Sequence, residues 1–275
     1  MIEPFTFGIP LIARAASNDW PLVEHLLDLT LRSVLAQSDG DFRVLLAAHD
    51  LPEPWRRVEA DARFVRLAAD WPVAAPTVAN DDGGRKKWLI KQAVRERGGG
   101  LLMFLDADDW VSRDLVRAAR ATIAPGDVGA IVPDGFALDY ATLHAAPFPL
   151  GDGFAFHQLC GSCTIGRIVA DGDAPVRHDP HALLGSHHEW TENAARLGVR
   201  LARLPVGGVY MVGTGQNHSE RQGPFVDWRR AVTESVRRDG KPLDQPLAGM
   251  FGQDLAALKP HDGAVGVIEP AEANG

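Results

Sequence analysis

Leu101-Leu102-Met103-Phe104-Leu105-Asp106-Ala107-Asp108-Asp109-Trp110 joins an unbroken apolar run to a cluster of three carboxylates. A stretch apolar at every position reads as a strand buried on both faces, as in a parallel or mixed sheet covered by helices. Open α/β sheets bind ligands at the carboxyl ends of their strands. Like charges at contact distance repel, so the acids are costly to hold together unless a cation shares them. Hard cations such as Mg²⁺ or Mn²⁺ take such oxygen ligands and bridge them to substrate phosphates. The stretch predicts a metal and diphosphate site.

Asp-x-Asp occurs elsewhere in the chain, as Asp39-Gly40-Asp41 and Asp171-Gly172-Asp173. Both sit among turn residues with no apolar run before them and read as solvated turns. Only Asp106-Ala107-Asp108 follows a strand, and a helix is expected just behind it, with Ser112 as N-cap before Leu115, Val116 and Ala119.

The chain has 275 residues, 45% hydrophobic and 23% charged, ordinary values for a globular protein with a substantial core. Its formal charge of −8 argues against a general nucleic-acid binder. No secretory pattern opens it and no apolar run is long enough for a bilayer, so a cytoplasmic protein is expected. Cys160-Gly161-Ser162-Cys163 is formally a C-x-x-C, with His157 just before it. It precedes a strand-like segment rather than opening a helix, and no second cysteine pair exists. Packing of small residues in a loop fits better than redox or zinc chemistry.

Outward from the acids, Phe5–Pro10 reads as a first strand. A helix with its apolar residues recurring every four positions follows from Pro21, capped by Asn18 or Asp19. Phe42–Ala48 and Arg63–Leu67 read as strands, and a loop rich in Pro, Asn, Asp and Gly runs to Gly84. A helix over Lys87–Arg97 puts Lys87, Lys91 and Arg95 on one face. Arg85, Lys86 and Lys87 can stand beside a diphosphate, whereas Lys91 and Arg95 fit a solvated cationic face equally well. This alternation predicts a doubly wound three-layer α/β arrangement. Further strands are expected at Val128–Val132, Ser162–Val169, Val199–Leu204 and Gly208–Val212, with a helix over His187–Leu197. Phe225, Trp228, Val232 and Val236 mark a last amphipathic helix ringed by Arg229, Arg230, Arg237 and Arg238.

Gly8-Ile9-Pro10, Leu29 to Ser38, Asp41 to Leu46 and Leu105 to Val111 resemble the corresponding segments of family 2-type glycosyltransferases, over roughly residues 5–220. The most specific parts are the Ser33-to-Gln37 helix end and Leu105-Asp106-Ala107-Asp108-Asp109. The resemblance implies the three-layer GT-A fold of nucleotide-diphospho-sugar transferases, a mostly parallel mixed sheet flanked by helices. It also implies a nucleotide-diphosphate sugar donor, a divalent cation (Mn²⁺ or Mg²⁺) and transfer with inversion to an acceptor hydroxyl. The acceptor class, whether glycan, lipid-linked or small molecule, is left open. Asp106 and Asp108 are the implied metal ligands, Asp106 also reaching the donor. Pro10, Arg14, Asp50, Lys86 and Lys87 are the implied donor-side residues. His218, in Tyr210-Met211-Val212-Gly213-Thr214-Gly215-Gln216-Asn217-His218, matches the segment that brings a histidine to the diphosphate or metal.

Inversion needs a base on the far side of the sugar. The matching segment Ser186-His187-His188-Glu189-Trp190 makes Glu189 the implied base and His188 a second candidate. Ser186-x-x-Glu189 is also a capping-box pattern, so base and helix cap both stand as readings of Glu189. The second strand ends His49-Asp50 rather than in paired acids, and the usual Arg-Asn pair before the acidic strand is missing. A nucleotidyltransferase is one alternative, but Pro10–Arg14 lacks the glycines that would cradle a triphosphate. A catalytically inactive nucleotide-sugar-binding module is another, against which Asp106, Asp108 and Glu189 argue. The expected organisation is a transferase domain over 1–220, a helical extension over 221–261 and a disordered tail over 262–275. The basic segment Phe225–Arg238 adds a second expectation, peripheral contact with the inner face of a membrane, against simple packing on the domain.

Overall fold

The computed structural model describes residues 3–73, 75, 79–150, 153–170, 179–221, 223 and 226–258. Along the chain, β1 (Phe5–Pro10), α1 (Trp20–Leu35), β2 (Arg43–Ala48), α2 (Glu53–Arg56), β3 (Phe64–Ala68), α3 (Asp81–Glu96) and β4 (Gly100–Phe104) build the first half. Then come β5 (Trp110–Val111), α4 (Leu115–Thr122), β6 (Asp127–Ile131), β7 (Asp134–Asp139), β8 (His144–Pro147), α5 (Phe156–Leu159) and β9 (Thr164–Ile168). The rest comprises α6 (Pro180–Leu183), α7 (Trp190–Leu197), β10 (Arg200–Arg203), β11 (Gly207–Val212), α8 (His218–Arg221), α9 (Val226–Asp239), β12 (Lys241–Pro242) and α10 (Gln245–Met250).

The main sheet has the order β10-β6-β9-β4-β1-β2-β3. Its pairs are parallel except at β9, which runs antiparallel to β4 and β6. The alternation of strand side chains builds the three layers. Phe5, Phe7, Ile9, Val44, Leu46, Leu101, Met103 and Leu105 point to the face packed by α1 and α4. Leu45, Ala47, Leu102 and Phe104 point to the other face, against Ile90, Ala93 and Val94 of α3. Gly8 lies on that second face because α3 comes very close, and a Cβ there would stand 2.6 Å from Ile90. This is the mostly parallel mixed sheet flanked by helices that the apolar runs predict.

α1 starts where expected, with Pro21 in its first turn and Asp19 accepting the Leu22 amide at 3.0 Å. Its Leu22, Leu26 and Leu29 pack on a second sheet of order β12-β8-β7-β11-β5, which the sequence reading missed. The reason is local. β8 reads His-Ala-Ala-Pro, with few residues of high strand propensity, and β5 is two residues long. Other boundaries shift as well. α3 begins at Asp81, since Asn80 caps it by accepting the Gly83 amide, and Gly83 and Gly84 become helical. Asp114, not Ser112, holds the N-cap position of α4, and Ser112 instead accepts the Asp114 amide at 3.2 Å. Residues 187–189 form a 3₁₀ turn ahead of α7. Asp171-Gly172-Asp173, Phe225 and 262–275 lie outside the described residues.

α9 packs on β7 and β8. Arg237 donates to buried Asp139 at 2.9 and 3.1 Å, while Arg230 and Arg238 pair with Asp227 and Asp239. Most of the helix's positive charge is therefore matched by carboxylates within the protein. No described helix is long and apolar enough to cross a membrane.

On the α3 side, Lys91 donates to buried Asp179 at 2.8 Å and Arg95 stands 3.5 Å from the same oxygen. Lys91 and Arg95, left open between a diphosphate side and a solvated face, thus anchor α6 instead. His181 of α6 lies between the rings of Phe104 and Trp190, at 4.7 and 5.1 Å. Burial pulls its imidazole down to about 3, Asp179 opposing and Lys91 and Lys87 adding to the fall. Such a histidine is neutral when folded but takes a proton when unfolded below its ordinary value of 6.5. The unfolded state then binds more protons, so stability is lost as pH falls from about 6.5 towards 3, by up to ~1.4 kcal/mol per pH unit. His181→Phe is expected to flatten the decline of Tm between pH 6.5 and 4 relative to the wild type. Parallel Tm–pH curves would show that His181 does not drive it.

Candidate active site

The acids leave β4 through Leu105, whose amide still bonds Gly8 of β1 at 2.9 Å, so the sheet itself aims the turn that follows. They then divide. Asp109 turns inward and is 1% exposed. Its carboxylate accepts from Ser162 Oγ at 2.7 Å, Cys160 Sγ at 3.3 Å and the Met211 amide at 3.0 Å. Burial pushes it up to about 7, with the Asp106 charge adding and these donors opposing. Asp106 and Asp108 instead line a cleft of about 370 Å³. Asp108 is raised well above the usual carboxylate range, first by burial and then by Asp109, Asp106 and Glu220.

Two sequence features explain how this loop is held. The Asp106 amide donates to Ser162 Oγ at 2.8 Å, and that hydroxyl donates on to Asp109. Gly161 leaves space beside Asp106, since a Cβ there would stand 2.8 Å from Asp106 Oδ2. Cys160 and Cys163 are buried free thiols. Burial raises both, as expected of thiols that pack rather than react. From the opposite side, Ser33 Oγ accepts the Val111 amide at 3.2 Å. Gln37 donates to the Ser112 carbonyl at 2.7 Å and accepts the Val116 amide at 3.0 Å. The helix end that carries the family resemblance is thus a brace for the segment behind the acids.

The other expected residues are spread unevenly. Pro10, Lys86 and Lys87 line the cleft with Asp106 and Asp108. Lys86 is 1% exposed, and its ammonium donates to the Leu11 carbonyl at 2.7 Å and to Asp82. Burial lowers it and Asp82 opposes the fall. Lys87 stands 5.5 Å from the Phe104 ring and has no carboxylate partner among the described residues. Arg14 and Asp50 meet each other instead, the Arg14 amide donating to Asp50 at 2.7 Å while its guanidinium covers Trp20. Neither lines the cleft. Glu189 and His188 are exposed, and Glu189 Oε2 accepts the Ser186 amide at 2.8 Å, which is the capping contact. The His218 side chain lies outside the described residues.

Several cleft residues carried no sequence signal. His187 lines it; burial, then the charges of His188, Lys87 and Arg229, hold its imidazole down at about 4. Tyr210 and Arg229 meet there by a 2.8 Å hydrogen bond. Glu220 accepts the Gly213 and Gly215 amides at 2.7 and 2.9 Å, ordering the loop beyond β11. Burial raises its carboxyl. A hint lay in the proximity of these residues to the Tyr210–His218 segment, but only packing brings them to the acids.

Comparison with known proteins bears on the same segment. Residues 22–142 match the family model described as "Putative rhamnosyl transferase". The match supports a glycosyltransferase. It spans α1 to just past β7, and so contains Asp50, Lys86, Lys87, Asp106 and Asp108, but neither Glu189 nor His218. No curated protein matches the chain. Among solved structures it is similar to the apo form of the glycosyltransferase GlyE from Streptococcus pneumoniae TIGR4, at 11% identity and a TM-score of 0.32. That match covers 71% of this chain and 37% of the other, so the chain spans little more than a third of its length. At this TM-score the likeness bears on neither fold nor function.

Among the described residues, no group of three or more His, Cys, Asp or Glu is placed to hold a metal ion. The donor chemistry still fits a hard cation shared with a ligand. Asp108 is 8% exposed, has no basic partner among the described residues and feels the charges of three other carboxylates. Mg²⁺-type sites commonly take one or two protein carboxylates and complete their shell with phosphate oxygens and water.

Proposed function

We propose that this protein is a metal-dependent glycosyltransferase that moves a sugar, with inversion, from a nucleotide-diphosphate donor to an acceptor hydroxyl. The observation that supports it most is the pair Asp106 and Asp108, aimed into the cleft from a strand end inside the family-matched segment. Asp106 and Asp108 would hold a divalent cation there, which when bound would neutralise the charge growing on the departing diphosphate. Lys87 adds a cation at the rim, and Pro10 and Leu11 form the wall on the β1 side. Lys86 acts at one remove, tying Asp82 to the β1 loop. Glu189, exposed on the turn whose His187 lines the cleft, is the proposed acceptor of the proton: a carboxylate whose Oε2 caps the Ser186 amide keeps the lone pairs of Oε1. The description of the matched family makes a nucleoside-diphosphate rhamnose the first donor to test.

The test is a panel of nucleotide sugars incubated with the protein and Mn²⁺, followed by nucleoside-diphosphate release. Slow hydrolysis of one donor, faster with acceptor and abolished by chelator, is the expected result. If no donor is bound or turned over, the reading fails.

A further inference from the structure

Arg229 belongs to α9, the helix whose other arginines pair with carboxylates, Arg237 with buried Asp139 and Arg230 and Arg238 with exposed acids. It differs from them in every respect. It lines the cleft that holds Asp106 and Asp108, and no carboxylate pairs with it among the described residues. Its Nη1 donates to Tyr210 Oη at 2.8 Å and to the Leu159 carbonyl at 3.2 Å. The guanidinium stands over the rings of Tyr210 and Trp228, at 5.4 and 5.1 Å. Its Nε is buried and has no hydrogen-bond partner among the described residues.

These contacts use Nη1 and leave Nη2 without a hydrogen-bond partner among the described residues, on a side chain that lines the cleft. The planar group is already oriented by its ring contacts, and Nη2 can donate to phosphate oxygen. Two other cleft cations are engaged elsewhere, Lys86 with Asp82 and Leu11 and Arg221 with Asn18 and the Ala16 carbonyl, which leaves Arg229 beside Lys87 of α3.

We infer that Arg229 of α9 is a catalytic residue, binding the β-phosphate of the leaving nucleoside diphosphate in the cleft that the acid pair also lines. The inference rests on the glycosyltransferase reading above. As the acceptor oxygen bonds to the anomeric carbon, the bond from that carbon to the β-phosphate oxygen breaks. The electron pair stays on the phosphate oxygen, and the acceptor proton leaves to the base. Arg229 stabilises the charge that arrives on the phosphate, so a helix outside the family-matched segment completes the site.

Binding of UDP, GDP and dTDP, each with Mn²⁺, is measured by calorimetry alongside donor turnover. Arg229→Gln is expected to weaken nucleoside-diphosphate binding at least tenfold and to lower kcat. Arg229→Lys should recover only part, since an ammonium cannot span two oxygens, and free guanidinium should partly restore Arg229→Ala. Arg237→Gln, a change on the same helix that frees Asp139 of β7, should lower Tm and bind nucleotide as wild type does. If the wild type binds a nucleoside diphosphate and Arg229→Gln and Arg229→Lys bind and turn over equally well, the role of Arg229 is overturned while the transferase reading stands. An effect confined to the acceptor KM overturns it too. If the wild type binds none, the transferase reading falls and the inference with it.

Discussion

Asp108→Asn is expected to fold, to gain stability without metal, and to lose nearly all activity. In the wild type Asp108 is buried among like charges, and burial first, then Asp109, Asp106 and Glu220, disfavours its ionised form. An amide of the same shape removes that repulsion. A gain of about 1 kcal/mol would raise Tm by about 2–4 °C in a chain of this size. If Asp108 holds a cation as proposed, the same change removes that ligand, a loss expected to cost about 10²–10³-fold in kcat. Thermal melts with and without Mn²⁺, beside nucleotide release, read both effects. Opposite movement of stability and activity marks a site held in strain for function. An Asp108→Asn protein that matches the wild type in activity would remove the acid pair from the mechanism.

Glu189→Gln separates the capping contact of Glu189 from the base role proposed for it. The glutamine oxygen can still accept the Ser186 amide, so the turn before α7 keeps its cap. It cannot take a proton, so kcat is expected to fall by about 10²–10⁴-fold while Tm stays within a degree or two. Glu189→Ala should lose both, the cap being worth about 0.5–2 kcal/mol. If Glu189→Gln turns over at the wild-type rate and only Glu189→Ala is impaired, through its lower Tm, Glu189 is a cap and the base lies elsewhere. His187 would then be the neighbour to examine, because it lines the cleft from the same turn while Glu189 and His188 face solvent.

The elements legible in the sequence are those whose signal is local. Phe5–Pro10, the Asp19-capped α1 and the run ending in Asp106 declare themselves through apolar periodicity and cap chemistry, which act within a few residues. The second sheet was not legible, since β8 is built of His, Ala and Pro and is stable only against β7 and β12. The role of Lys91 and Arg95 stayed open in the sequence because their partner, Asp179, lies 88 positions from Lys91 along the chain. The Cys160–Cys163 segment was rightly read as packing, but what it packs against could not be read. Ser162 supports the acidic loop from 56 positions away.

By itself the sequence determined the layered α/β plan, the strand end that carries the acids and their chemical kind, because hydrophobic pattern and residue type are local properties. It did not determine which acids face the ligand. Asp106, Asp108 and Asp109 look alike in sequence, yet Asp109 is turned inward by Ser162, Cys160 and the Met211 amide, the last from 102 positions away. That choice belongs to the tertiary structure. A buried carboxylate is stable only where donors converge on it, and residues distant in the chain converge only once the sheets have packed.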